Sequence, residues 1–310
     1  MIVGYRKPVM SFTAAAGSLF NPLFLSSTDE LQDNDPQSVT RLAFDANYLD
    51  SPPSLFSGGF IELRCEFDRT DRHRYVGLLG VTPPTNLSGA VVNNLVVGVR
   101  FRRPADVNYD YTPTGMSNWF QALTPGVSGK SSIWWLFPED MEQVAGMAFR
   151  IYNRRYVNDS NPDGGASASL TSKSYIDIGE VWASPAVDLP IEQKFSFQQI
   201  DPTIRRRTLG GRLDKVARTS YRQLDVRLPA DTTEVERKGG LLDALDWRTL
   251  EARLLQAAPC AVAFQSKVGG VFDKAELNLN AFMAECEPGP TTHVDKTFYT
   301  KSLRFTELPS

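Results

Sequence analysis

Apolar and polar positions alternate with period two in several short stretches of the first 190 residues. In Phe60-Ile-Glu-Leu-Arg-Cys-Glu-Phe67, Ile61, Leu63 and Cys65 fall on one side of an extended chain, and Glu62, Arg64 and Glu66 on the other, because successive strand side chains point to opposite faces. Val97, Val99 and Phe101 alternate in the same way with Gly98, Arg100 and Arg102. Segments 132–137, 145–152 and 175–182 are rich in the β-branched and aromatic residues that strands favour. Turn residues punctuate the intervals, among them Asn21-Pro22, Asp35-Pro36, Pro52-Pro53, Gly58-Gly59, Pro83-Pro84, Pro125-Gly126 and Gly164-Gly165. This spacing predicts a sandwich of short antiparallel strands. Two short helices are expected within it, one at the capping box Ser27-Thr-Asp-Glu30 and one opening at Pro138-Glu139-Asp140.

The pattern changes near residue 190. Extended segments at 194–200 and 220–228 precede the one sustained helical stretch, 240–257, where Leu241, Leu242, Leu245, Leu250, Leu254 and Leu255 lie near helical spacing. Strands are expected at 261–265, 274–282 and 296–305. The reading is therefore of a mainly β chain: an N-terminal antiparallel β-sandwich over 1–190 and a smaller α+β domain with one main helix over 191–310. The boundary is placed between Asp188 and Glu192.

Composition narrows the function classes. With 310 residues, 42% of them apolar and 11% aromatic, the chain can bury a substantial core without metal or disulfide staples. A formal charge of −3, from 33 basic and 36 acidic residues, gives no field to draw it to nucleic acid or to an anionic membrane. Cys65, Cys260 and Cys286 are odd in number and far apart, so they read as reduced, buried thiols. No run reaches the ~18–20 apolar residues of a bilayer-spanning helix, and the opening segment, broken by Pro8, Ser11 and Gly17, does not read as an export leader. No membrane insertion is expected, and assembly in a cytoplasm is.

Candidate chemistry is sparse. His73 and His293 are the two histidines and sit in no HExxH or GxSxG motif, His73 lying in what reads as a polar loop, 68–74. Gly210-Gly211 and Gly269-Gly270 read as tight turns rather than phosphate cradles. Asp159, Asn161 and Asp163 match the first half of an oxygen-rich calcium loop, but Leu170 stands where the closing Glu belongs, so a polar surface loop is the reading. Arg205, Arg206 and Arg207, with Arg212, Lys215 and Arg218, form the densest basic stretch and read as a solvated or subunit-facing charge cluster. Trp119, Trp134 and Tyr111 are the rings on which a sugar could stack, although such rings more often fill cores and interfaces. No cofactor and no catalytic constellation is expected.

Two regions carry a resemblance. Residues 23–44, the strand Asn93-Asn-Leu-Val-Val-Gly-Val-Arg100, Trp119 and Tyr175-Ile-Asp-Ile-Gly-Glu-Val-Trp182 are similar to the galactose-binding-like jelly rolls of siphophage minor tail proteins. Segment 197–212, Tyr221-Arg-Gln-Leu-Asp-Val-Arg-Leu228, Leu241-Leu-Asp-Ala-Leu245, Cys260-Ala-Val-Ala-Phe264 and Ser302-Leu-Arg-Phe-Thr-Glu-Leu308 resemble distal tail and tail-tube-derived domains. The resemblance implies a virion structural protein of the tail tip or baseplate. Such a protein forms a ring or three-fold homo-oligomer, contacts the tube, tape-measure and baseplate hub proteins, and could touch host surface glycan. It departs from the family in order, since distal tail proteins place the ring-forming domain first. The four thiolates of an iron-sulfur cluster found in some tail-tip proteins are not matched by three cysteines.

Overall fold

A computed structural model describes residues 1–16, 23–43, 61–82, 95–113, 120–122, 130–153, 175–192, 195–207, 213–216, 218–228, 247–255, 258–268, 271–295 and 298–308. The protein is mainly β, built of antiparallel sheets, with two short α-helices among the described residues. None of these helices is long and apolar enough to cross a membrane. Contacts divide the chain into two compact units, Lys7–Pro185 and Met1–Arg6 with Ala186–Pro309.

The chain opens with β1 (Ile2–Gly4), a strand of the second unit, and then enters the first unit. There, β2 (Met10–Ala16), β3 (Leu23–Phe24), β4 (Thr40–Ala43), β5 (Ile61–Asp71), β6 (Tyr75–Val81) and β7 (Leu95–Arg102) are followed by β8 (Phe120–Ala122), β9 (Ser131–Leu136), β10 (Val144–Asn153), β11 (Tyr175–Ile178) and β12 (Glu180–Ser184). One sheet has the order β2-β5-β10-β7-β8. Opposite it, β12-β6-β9 and β11-β4-β3 are joined through a bridge between Thr82 and Asp177, where the chain bends at Gly179 between β11 and β12. Both layers contribute to one apolar core: Leu63, Cys65, Val97, Val99, Phe101, Met147 and Phe149 from the first, Leu42, Val76, Leu78, Ile133, Trp135, Ile178 and Val181 from the second.

The outer faces of these layers differ. On the first, the buried Glu62 carboxylate accepts from Arg64 at 2.7 Å and from Arg150 at 2.5 Å, while Glu66 accepts from Arg102 and from the Tyr109 hydroxyl. Tyr109 lies against this charge, its ring 5.4 Å from the Arg64 guanidinium. On the second, Tyr75, Leu79, Trp134, Glu180 and Trp182 are buried although they alternate with the core residues. The Trp134 ring covers Gly77, where an added Cβ would meet it at 2.6 Å. Two further glycines admit the carbonyl of Pro36: a Cβ on Gly80 or Gly179 would stand 2.4 or 2.2 Å from that oxygen.

In the second unit β13 (Ala186–Asp188), β14 (Ser196–Ile200), β15 (Ile204–Arg207), β16 (Leu213–Val216) and β17 (Tyr221–Leu228) precede helix α1 (Trp247–Leu255). Strands β18 (Cys260–Ala263), β19 (Lys267–Val268) and β20 (Val271–Phe272), helix α2 (Lys274–Asn280), β21 (Ala281–Asp295) and β22 (Phe298–Glu307) complete it. Seven strands form one antiparallel sheet, β13-β1-β18-β21-β22-β17-β14. Leu250 and Leu254 of α1 pack into its core with Val3, Leu224, Val226, Val262, Phe282, Leu303 and Phe305. The sheet is strongly curled. Three strands separate β18 from β14, roughly 19 Å if flat, yet Phe264 just beyond β18 stacks on Phe197 with centroids 4.6 Å apart.

Several expectations are corrected. The leading domain does not include its first residues: Ile2, Val3 and Gly4 pair with β13 on one side and β18 on the other. Lys7–Pro185 is thus inserted between two neighbouring strands of the second unit's sheet. The Ser27 capping box gives a single 3-10 turn, Asp29–Gln32, with no side-chain cap from Thr28. No helix starts at Pro138; the Met141 N–H reaches the Pro138 carbonyl at 3.4 Å and the chain moves on to β10. Segment 274–282, expected as a strand, begins as α2 because Asp273 caps it, its carboxylate accepting the Glu276 N–H at 3.0 Å. The polar loop 68–74 is instead the end of β5 followed by a fully buried His73, whose ring lies 4.4 Å from that of Phe67. Of the expected helix 240–257, residues 247–255 are helical and the remainder lies outside the described residues.

Candidate functional site

Of the three rings singled out for sugar contact, Tyr111 alone stands partly open to solvent among the described residues. It follows β7 across a loop and returns to it, exchanging two backbone hydrogen bonds with Phe101 at 2.9 and 3.0 Å. Its hydroxyl accepts the Glu142 N–H at 3.1 Å, and the Arg103 guanidinium lies 5.2 Å over the ring. Arg103 grips Asp106 through two hydrogen bonds, 2.7 and 3.2 Å, which hold the Asp106 carboxyl below its ordinary range. Together with Asn108, Asp110 and Thr112 these residues line an open groove of about 660 Å³. The mix of a ring, carboxylates, an amide and a hydroxyl can satisfy a polyhydroxylated ligand.

Trp134 is not available to any ligand: it is fully buried, 5.0 Å from the Tyr75 ring, and its carbonyl accepts from Gln121 at 2.6 Å. Trp119 lies outside the described residues, as do Asp159, Asn161 and Asp163 of the calcium-like loop. Among the described residues no group of three or more His, Cys, Asp and Glu side chains could hold a metal ion. Burial pushes the Cys65 and Cys260 thiols up and that of Cys286 up to about 12, so these sulfurs stay protonated at neutral pH.

The basic run takes a definite place. Arg205, Arg206 and Arg207 form β15, which pairs with β16 in a two-stranded ribbon joined to no other sheet among the described residues. Only the backbone is described for Arg205 and Arg206; Arg207, Lys215 and Val216 are exposed. In the register Arg205 stands opposite Lys215 and Arg206 opposite Asp214. Isolated two-stranded ribbons are marginal in water.

Beside the ribbon in sequence lies β14, the last strand of the seven-stranded sheet, with Ser196, Phe197, Gln198 and Gln199 all exposed. The sequence predicts a strand here but carries no sign that it is an edge. The alternation Phe195-Ser-Phe197-Gln signals a strand with one apolar face, but edge position depends on pairings elsewhere in the chain. An open groove of about 710 Å³ borders it, lined by Phe195, Ser196, Asp225, Arg227, Glu287 and Arg304.

A second feature missed in the sequence is the buried ion pair of Lys7 with Glu180, which also accepts the Asn34 N–H at 3.0 Å. Burial pushes the Glu180 carboxyl up to about 7 against the pull of Lys7, and lowers Lys7. The partners are 173 residues apart, so no local spacing announces them. Compared with protein-family models, with curated proteins and with solved structures, the chain matches none.

Proposed function

We propose that the chain is a structural subunit of the tail tip or baseplate of a long-tailed bacteriophage. It joins copies of itself and links the tail tube to the adsorption apparatus. Its work is contact between subunits rather than turnover, and its neighbours are tube, tape-measure and hub proteins in the virion. Unit Lys7–Pro185 is read as the galactose-binding-like jelly roll of the sequence resemblance, and the curled sheet with α1 as the tube-derived oligomerisation domain.

The observation that carries the reading is the β15–β16 ribbon: two strands that pair only with each other among the described residues, with Arg207, Lys215 and Val216 exposed. Laid on a neighbouring subunit, such a ribbon gains the apolar cover it lacks alone. Sedimentation velocity of the purified chain is expected to show a discrete oligomer that Arg207→Glu weakens, and electron microscopy of the parent virion to place the chain at the tail tip. A chain that stays monomeric at high concentration and gives no density in the virion would overturn the reading.

A second reading, host-glycan contact, is favoured by the groove at Tyr111, where ring and polar groups converge. A glycan array with Tyr111→Ala as control is expected to give a signal that the substitution removes; an array at background ends it.

A further inference from the structure

We infer that β14 forms a two-fold contact between copies of this chain, β14 of one pairing antiparallel with β14 of the other through the backbone. The inference rests on the self-assembly reading and gives it a location.

An edge strand offers a row of N–H and C=O groups, and proteins usually guard such edges with charge, proline, a bulge or a cover. Ser196-Phe-Gln-Gln-Ile200 carries no charge and no proline, and its register with β17 runs without a shift. Among the described residues no strand pairs with its outer side. Phe195 and Phe197 remain 42% and 41% exposed even though the rings of both lie against that of Phe264. Apolar surface and free backbone therefore coincide on one strand.

The occupant follows from the other edge of the sheet. Strand β13 is three residues long with Ala186 and Val187 buried, so among the described residues β14 is the longer and more exposed edge of this sheet. Identical edges meet only by a two-fold axis, the isologous arrangement of closed dimers. Centred on Gln198, antiparallel pairing sets Ser196 opposite Ile200 and Phe197 opposite Gln199, with the Gln198 amides facing each other. No like charges meet, in contrast to Arg205 and Lys215 in the ribbon that starts four residues after β14 ends. The contact is thus continuous along the chain with the ribbon. It yields a dimer, or joins two rings face to face.

Sedimentation velocity of the full chain over a wide concentration range tests this, with Gln198→Lys, Gln198→Glu and their equimolar mixture beside the unsubstituted protein. Gln198 is exposed, and matching circular dichroism checks that folding is unaffected. Each variant alone is expected to weaken the two-fold step tenfold or more, and the mixture to recover it. Variants that associate like the unsubstituted chain, or a mixture that does not recover, overturn the β14 contact while leaving self-assembly through another surface standing. An unsubstituted chain that is monomeric throughout removes both.

Discussion

The two layers of unit Lys7–Pro185 share one core and turn opposite chemistry outward. On β5, β10 and β7 the outer face is a lattice of ions: Glu62 between Arg64 and Arg150, Glu66 between Arg102 and Tyr109. On β6, β9 and β12 it is Tyr75, Trp134 and Trp182 with the buried ion pair of Lys7 and Glu180. The first face is partly wet, Arg64 being 41% exposed, so its attractions are screened and its side chains can rearrange. The second is close-packed down to Gly77 beneath Trp134, and close packing has no slack. One fold therefore holds a tolerant side and an intolerant side.

Substitutions can break or sharpen that contrast. Trp134→Ala, which empties the centre of the ring-covered face, is expected to cost about 3–5 kcal/mol in urea unfolding of the full chain. Gly179→Ala drives a Cβ against the Pro36 carbonyl oxygen, 2.2 Å away, and since the obstacle is backbone the expected loss is about 1–3 kcal/mol. A comparable stability to the unsubstituted chain in either case would mean that the second face yields as easily as the first.

Glu180 gives the contrast a pH signature. Its folded pKa of about 7 lies above the ordinary 4.5, so between these values the folded state holds a proton that the unfolded chain has released. The contribution is fully present below pH 4.5 and is lost as pH rises through about 7. Thermal melts are expected to fall across that window and to flatten in Glu180→Gln. Lys7, lowered by burial, acts with the opposite sign at more alkaline pH. Smallest is Arg64→Ala on the ionic face, expected to change stability by about 0–1 kcal/mol, less in high salt. A large loss there would show that the lattice acts as one unit.

The same contrast decides what could be read in the sequence. Strands β5 and β7 were legible because one face is polar, so Ile61, Leu63 and Cys65 separate from Glu62, Arg64 and Glu66. Strand β6 escaped notice because all seven of its residues are buried and no alternation survives. In α2, Ala275, Leu277 and Leu279 imitate a strand's period two; the structure buries Leu277 and leaves Leu279 69% exposed. Strand β21 runs through Pro288 and Gly289, where its register shifts, and a proline inside a run argues against a strand. For the candidate site, nothing in sequence separates Trp134, wholly enclosed, from Tyr111 at the groove: burial of a ring is decided by distant segments.

The placement of β1 also sets an order of events. Ile2, Val3 and Gly4 leave the ribosome before Lys7–Pro185, yet their partners are Ala186–Asp188 and Ala261–Ala263. Domains form as they emerge, so Lys7–Pro185 can consolidate while the strand ahead of it stays unpaired. Strand β1 thus waits for residues that follow the whole of the unit it precedes, and is stitched in only once Cys260–Ala263 has been made.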